Sequence, residues 1–510
     1  MAILPTRRSL LAATTLAGFL PAIHLRPARS AEPQALRIPE LIDARRQGQS
    51  VALRAQAGRT IFFPGGPASR TLGYNGSYLG PTIRVHRGDE VEVAVANALG
   101  VGTTVHWHGL LVPGPLDGGP HQMIAPGATW RPRLPIRQPA ATLLYHSHVH
   151  GGTAEQVYAG LMGLLLVTDE EERALGLPFD YGVDDIPVVL QDRQFEEGVL
   201  VLPGGMPAMM LGRRGDTILA NGTPDAVARP PAGLVRLRLA NGANARLFDL
   251  SFEDGRAFHW IASEGGLLER PVPLRAIRLA PGERAEVLVD LSDGRPVALR
   301  TAPDTNLPMM GMMARMGGFA PNMTGEGQTV LRLEPRLTGQ AAPARIPGRL
   351  VSRERSDPSQ AVRRRRVALT MGMGMGGMMQ GEMGGGMMGR RGIGGPGGAM
   401  GGMHGINGRP FEMGRIDARI RLGDVEIWEA SGEMMAHPLH IHGVHFEVLG
   451  RDGGPADPRD QGLRDTVLVR GPTELLVRFT QPAPDHAPFM LHCHVLEHED
   501  NGMMAQFVVA

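Results

Sequence analysis

Histidines in this sequence occur in pairs whose members are separated by one residue. The chain has 18 histidines among 510 residues, for which chance placement would give roughly 0.6 such pairs. There are five, His106/His108, His146/His148, His148/His150, His440/His442 and His492/His494. On a strand, residues i and i+2 point to the same side, so each pair can direct two imidazoles at one ion. The spacing predicts a metal cluster, whereas a lone histidine such as His404 is expected to be an ordinary core or surface residue.

The one cysteine of the chain lies within "LHCHVLEHEDNGMM", residues 491 to 504. On a strand, the Cys493 thiolate points away from its two histidine neighbours, so one strand can serve two metal sites on opposite faces. His498 and Met503 follow closely, and His437 precedes the histidine pair at 440 and 442. Two imidazoles, one thiolate and a weak thioether are the ligands of a blue copper site. A buried, inert thiol is the alternative for a free cysteine, and the flanking histidines argue against it.

Period-2 alternation of apolar residues predicts that strands position these ligands. It is clearest at 82–97, 234–242 and 418–432, which we expect to be half-buried strands. Further on, each copy has a proline and glycine turn, at Pro126-Gly127, Pro281-Gly282 and, in reversed order, Gly471-Pro472. The repeat predicts an all-β fold of three Greek-key β-sandwich domains, the first at 36–168, the middle at 180–335 and the last at 345–510. The middle copy has no histidine pair, and the last has a Met/Gly-rich insertion at about 370–404.

Composition excludes some classes of function and indicates export. The formal net charge is +1, so no global field favours nucleic acid as a partner. Arg7 and Arg8 precede an apolar run from Leu10 to Leu20, which is too short to span a bilayer. Residues 1–31 are therefore predicted to be a twin-arginine signal peptide that directs the protein through the Tat export machinery to the periplasm, with no stable membrane anchor.

Together these motifs resemble those of the multicopper oxidases, over essentially the whole chain after the signal. The motifs are "HWHG" (106–109), "HSH" (146–148), "HPLHIHG" (437–443) and "HCHVLEHEDNGMM" (492–504). The resemblance implies the cupredoxin fold, a monomer, and four copper ions, one of type 1, one of type 2 and a type 3 pair. Carried over by motif position, the ligands are His437, Cys493, His498 and Met503 for type 1, His106 and His440 for type 2, and His108, His146, His148, His442, His492 and His494 for type 3.

The resemblance also implies a reaction. A reducing substrate would give electrons one at a time to the type 1 copper, and Cys493 would pass them through the backbone to His492 and His494, where dioxygen is reduced to water. Asp117 and Glu499 match the family's proton-relay acids and would deliver protons to the closed site. The alternative for these two residues, a turn aspartate and a surface glutamate, is equally compatible with the sequence.

Methionines indicate the substrate. Of 28 methionines, eleven lie between Met371 and Met413, and thioethers are soft ligands that select Cu(I). This resembles the periplasmic cuprous oxidases, which oxidise Cu(I) to Cu(II) in copper tolerance. The resemblance implies a labile Cu(I) at the methionine-rich segment and a substrate-copper site at Glu433 and Met435, with Met371 and Glu382 as further candidates.

Three other functions remain open on the sequence. One is a laccase-like oxidase of phenols or of other metal ions such as Fe(II) and Mn(II). The second is a non-enzymatic exported scaffold that keeps the three-domain fold, and the third is copper buffering by the methionine-rich segment. Buffering would survive Cys493→Ser, whereas turnover of an oxidase would not, because the thiolate is its electron acceptor.

Overall fold

Alternating burial of the strands follows from the alternating sequence pattern. In the computed structural model, which describes residues 33–306, 327–337, 345–353, 356–372 and 404–510, the strand Glu90–Asn97 buries Val91, Val93 and Val95 and leaves the residues between them half-buried. β-Branched side chains pack well on such a pleated surface. Strands dominate the described residues, which confirms the predicted all-β fold.

We call the parts of the chain that correspond to the three predicted domains the first segment (36–168), the middle segment (180–335) and the last segment (345–510). Two sheets consist of strands from the first segment. The four-stranded sheet has the order Leu41–Asp43, Thr82–His86, Met162–Thr168 and Ala141–His146. The five-stranded sheet has the order Ser69–Tyr74, Ser50–Thr60, Glu90–Asn97 and Thr129–Trp130, with Arg133–Pro135 also paired to Glu90–Asn97. A bridge between the backbones of His106 and His146 brings the first two histidine motifs together.

Two further sheets contain the strands of the middle segment. One has eight strands, Thr223–Pro224, Thr217–Ala220, Asp185–Glu196, Leu234–Asn241, Arg284–Asp290, Phe258–Ser263 and Gly266–Leu274 in order, with Val199–Val201 paired to Asp185–Glu196. The other has six, Gln34–Ala35, Ala226–Ala228, Gln328–Leu333, Val297–Thr301, Phe248–Phe252 and Ala276–Leu279. Residues 34–35 pair with this sheet although they lie outside the middle domain predicted at 180–335. The sheet therefore does not follow the predicted boundaries, and the division into three domains stays a prediction.

The last segment forms two sheets and holds two of the metal motifs on neighbouring strands. The five-stranded sheet has the order Ala418–Ile420, Met504–Val509, Phe489–Cys493, His437–Ile441 and Thr466–Val469. The six-stranded sheet has the order His404–Ile406, Arg363–Met371, Val425–Gly432, Thr473–Arg478, Phe446–Arg451 and Gly454–Pro455. In the first of these sheets His440 lies opposite His492, and Leu439 lies opposite Cys493.

Helices are short. The described residues contain the α-helices Thr153–Ala159, Glu170–Ala174, Gly205–Leu211 and Leu496–Asp500, and the 3-10 helices Ala44–Gln47, Gly114–Leu116, Pro358–Gln360 and Pro458–Asp460. None of the described helices is long and apolar enough to cross a membrane.

Two of the predicted half-buried strands differ from the expectation. Strand Leu234–Asn241 is buried at every position, because Arg236 and Arg238 on its polar face form ion pairs with buried carboxylates. The stretch 418–432 forms two strands in different sheets, and Leu422, one of the alternating apolar residues of this stretch, lies exposed in the turn between them.

The buried arginine pairs predict a strong dependence of stability on Arg236. Its guanidinium contacts Glu172 at 2.6 Å and also Glu286, and all three side chains are almost completely buried. Arg236→Ala leaves Arg238, which lies 3.4 Å from Glu172 and 3.0 Å from Glu286, to balance both carboxylates. Because buried negative charge is then in excess, we expect the free energy of unfolding in urea to fall by about 3–5 kcal/mol. As a control, Arg133→Ala removes an exposed pair with Glu92 and should cost at most about 1 kcal/mol. Equal effects of the two substitutions would contradict the prediction.

Candidate metal centres

The thiolate group consists of His437, Cys493 and His498, all fully buried. Cys493 ends strand Phe489–Cys493, His437 begins the neighbouring strand, and His498 lies in helix Leu496–Asp500. The Sγ atom of Cys493 is 3.5 Å from His437 Nδ1 and 3.6 Å from His498 Nδ1. The other ring nitrogens donate to backbone carbonyls, His437 Nε2 to Glu433 at 2.9 Å and His498 Nε2 to Met210 at 3.1 Å. Both Nδ1 atoms are therefore left facing the sulfur.

Eight imidazoles lie on the other side of the His492–His494 strand end, as the alternation predicted. They form three histidine groups, which we call the first (His106, His440, His442), the second (His108, His146, His494) and the third (His148, His442, His492). Facing nitrogens are close in each group: His106 and His440 Nε2 at 3.3 Å, His108 Nδ1 and His146 Nε2 at 3.4 Å, and His442 and His492 Nε2 at 3.2 Å. All predicted type 2 and type 3 ligands are thus brought together, and Met503 is buried in the same core as Cys493.

Carboxylates hold the outward-facing nitrogens of several rings. Asp117 Oδ2 accepts from His442 Nδ1 at 2.7 Å, and its backbone carbonyl accepts from His106 Nδ1 at 3.0 Å. Glu499 places one oxygen 3.2 Å from His148 Nδ1 and the other 3.2 Å from His492 Nδ1, though not along the hydrogen-bonding direction. Both acids are buried, unlike the exposed turn and surface residues of the alternative interpretation. Their role as proton carriers stays a prediction.

Asp465 is a site residue that the sequence reasoning missed. Its carboxylate is 3.0 Å from His108 Nε2, and its carbonyl accepts from His440 Nδ1 at 2.9 Å. The signal available in the sequence was the charged pair Arg464-Asp465, directly before the buried strand Thr466–Val469. Burial raises the pKa of Asp465, but the charge and hydrogen bonds of Arg284 outweigh burial and hold this pKa below its usual range.

The electrostatics of the site fit a bound metal. Burial lowers the pKa of His437 to about 4 and that of His442 to about 3, and it lowers the pKa of His146, His148 and His494 as well, so the imidazoles are neutral and able to coordinate. Among the described residues, neither ring nitrogen of His494 has a hydrogen-bond partner. Burial also raises the pKa of the Cys493 thiol, and coordination to a metal would supply the charge that holds a thiolate there. Thiolate with imidazole ligands suits copper.

The proposed substrate-copper residues are only partly assembled. The Met371 amide donates to Glu433 Oε2 at 3.2 Å, and Met371 and Met435 are buried in one core. Glu433 is exposed, and Glu382 lies outside the described residues, as does most of the Met/Gly-rich insertion.

His404 was expected to be an ordinary core or surface residue. It is 1% exposed, and neither of its ring nitrogens has a hydrogen-bond partner among the described residues. Its ring centroid lies 4.7 Å from that of His498. His404 is therefore a buried neighbour of the thiolate group without a hydrogen-bond partner among the described residues. The sequence did not predict this, because His404 reaches its place through the pairing of its strand with Met371, and local spacing does not show that pairing.

Comparison with known proteins identifies the family. Family models described as multicopper oxidase match residues 57–172 and 382–510. A laccase-like multi-copper oxidase, CueO, from the lignin-degrading bacterium Ochrobactrum sp. is 40% identical, with a TM-score of 0.82 over 93% of this chain and 100% of that one. The chain belongs to the multicopper oxidase family. A variant of the multicopper oxidase McoA from Aquifex aeolicus is 31% identical, with a TM-score of 0.79 over 94% of this chain and 99% of that one. The family implies that this chain binds copper and has cupredoxin-like domains, as the motifs predicted.

The curated relatives of this multicopper oxidase family member contradict the predicted activity. Proteins named Cell division protein FtsP from Xenorhabdus nematophila and Escherichia coli are 37% and 36% identical, over 99% of this chain and 98% of each relative. The predictions of a cuprous oxidase in copper tolerance, and of an oxidase enzyme more generally, are therefore wrong. The physical reason is that the ligand motifs specify which metal the site can hold and not what the protein uses that metal for.

The thiolate group predicts a colour. Copper-loaded protein should be blue through charge transfer from the Cys493 thiolate, and Cys493→Ser should abolish the blue absorption band, because an alcohol does not replace a thiolate as a soft ligand. Visible absorption together with metal analysis checks this prediction. His86→Gln is the control, because His86 is buried but lies outside the metal groups of the described residues. A colourless wild-type protein that binds zinc instead of copper would refute the assignment.

Proposed function

We propose that this chain is an exported, copper-binding scaffold protein that acts with the cell-division machinery and not as an oxidase. The observation that carries the proposal is the similarity to the FtsP cell division proteins over 99% of the chain. A fold shared with oxidases does not by itself imply a shared activity. A similarity over the full length extends through the whole fold and is not confined to the stretches that hold the metal motifs.

Copper in this proposal acts as an internal cross-link. We place one ion at the thiolate group and three at the histidine groups, four in all. His106 and His440 are separated by 334 residues and His148 and His492 by 344 residues, so ions held there tie the first segment to the last. An ion that binds the native state and not the unfolded chain adds its binding free energy to stability. The ligands are fully buried, which makes these ions part of the folded core.

We also propose the location and the remaining interactions. The predicted twin-arginine signal at 1–31 would carry the protein, already folded around its copper, to the periplasm, where it would work as a monomer without nucleic acid. The methionine-rich segment would bind additional labile Cu(I) through its thioethers.

A structural role for copper predicts that its removal lowers thermal stability. At free copper about 1,000 times the dissociation constant, each site adds about 4 kcal/mol, so a strong chelator should lower the melting temperature by many degrees. Differential scanning calorimetry at fixed protein concentration measures this shift. The double variant His106→Gln/His440→Gln should melt lower than the wild type and respond less to the chelator. An unchanged wild-type melting temperature would show that copper is not structural.

The division role is tested by replacing the gene. Deletion of the gene should lengthen the cells, because division is delayed while growth continues, and the wild-type chain should restore normal length. The variant Cys493→Ser should restore it too, because a scaffold needs no electron acceptor, whereas Arg7→Lys/Arg8→Lys should fail because export is blocked. Microscopy of cell length and immunoblots of the periplasm give the readout. The proposal is overturned if folded, exported Cys493→Ser fails to restore division, or if purified protein consumes dioxygen with Cu(I) or phenols in a Cys493-dependent reaction.

A further inference from the structure

The middle segment contributes no residue to the thiolate group or to the three histidine groups. It contacts the thiolate group through the Met210 carbonyl, which accepts from His498 Nε2, and it reaches the histidine groups at one turn. This turn, Pro281 to Arg284, joins strand Ala276–Leu279 to strand Arg284–Asp290. It is the middle copy of the proline and glycine turn seen in the sequence repeat. Two of its residues reach the second histidine group by separate contacts.

Arg284 connects all three segments through its guanidinium. The side chain is completely buried, and it donates to Asp465 Oδ1 at 2.7 Å and Oδ2 at 2.6 Å. The same guanidinium donates to the carbonyl of Thr142 in the first segment at 3.1 Å and to that of Gly282 at 2.9 Å. A planar guanidinium that grips both carboxylate oxygens fixes the orientation of the carboxylate as well as its charge.

Asp465 in turn determines which nitrogen of His108 can bind a metal. Asp465 Oδ1 lies 3.0 Å from His108 Nε2, and His108 Nδ1 faces His146. The Thr466 hydroxyl lies 3.1 Å from the same Nε2 and donates its proton to Asp465 Oδ1. A neutral imidazole carries one proton, so donation from Nε2 to Asp465 leaves the lone pair on Nδ1 for the metal. Arg284 therefore acts on the His108 tautomer through the carboxylate.

Gly282 makes the second contact, with His494. Its φ of +84° lies in the left-handed region, and a Cβ added there would meet His494 Cδ2 at 2.8 Å and Nε2 at 3.0 Å. The His494 ring has no hydrogen-bond partner among the described residues, so packing limits its orientation. The Gly282 backbone lies on one side of the ring, and the rings of His108 and His146 have centroids 5.0 Å and 5.4 Å from its own. His494 and His108 belong to the same histidine group.

We propose that the turn Pro281–Arg284 positions the second histidine group, with Arg284 setting the His108 tautomer through Asp465 and Gly282 setting the plane of the His494 ring. The middle segment thus controls copper binding without supplying a ligand. This inference rests on copper binding by the family and not on the proposed role in division, so either can fail without the other.

Arg284→Lys provides the first test, since lysine keeps the charge but cannot grip both oxygens. Partners of metal ligands typically change metal affinity by 10–100-fold, so we expect copper dissociation from the histidine groups to rise by about that factor in a chelator titration of the copper-loaded chain. The blue band of the thiolate group should keep its intensity. Arg238→Lys is the control, because Arg238 is equally buried and forms a two-point pair with Asp185 away from the metal groups.

Gly282→Ala provides an independent test of the positioning role of this turn. It can be used even if the Arg284→Lys protein does not fold. We expect the same loss of copper from the histidine groups with the blue band retained. Gly255→Ala is its control, since Gly255 also has a positive φ of +72° but nothing within 4 Å of an added Cβ. The inference is overturned if Gly282→Ala keeps wild-type copper affinity, or if each control loses as much copper as its partner variant.

Discussion

Most of the buried imidazoles of the metal centres leave one nitrogen for the metal and find a hydrogen-bond acceptor for the other. A buried polar group without a hydrogen-bond partner destabilises the folded state. The surrounding backbone and side chains therefore have to supply acceptors for these nitrogens. His437 and His498 use carbonyls, His442 uses Asp117, and His108 uses Asp465. These acceptors come from a helix, from the end of a 3-10 helix and from residues next to strands of two different sheets. Much of the arrangement around the centres therefore serves to supply them.

The sequence predicts the ligands well because their geometry is local. Two-residue spacing on a strand decides which side chains share a face, and this places His492 and His494 opposite Cys493 without any knowledge of the fold. The acceptors are not local. Arg284 and Asp465 are 181 residues apart, and no spacing rule connects them. For the same reason the sequence did not predict the contact of His404 with His498, which depends on pairing between strands on either side of residues 373–403. It also did not predict the ion pairs that bury the whole of strand Leu234–Asn241.

Function was less predictable than chemistry. The ligand groups indicate that the chain can bind copper, with the Cys493 thiolate adjacent in sequence to two of the histidine ligands. Solved relatives with this fold include oxidases. Relatives that cover the whole chain are nevertheless named for cell division. A protein can keep a metal site for stability after its use in turnover has been lost, because the two uses require the same first ligands but different access and different surfaces.

The distribution of ligands along the chain has a consequence for folding. The thiolate group and the second and third histidine groups all need a residue from the stretch 492–498, and in the third group His148 lies 344 residues away from His492. Such a site forms only after distant parts of the chain have come together, and closing long loops is slow compared with forming local contacts. Copper therefore binds a largely assembled protein and does not nucleate its sheets.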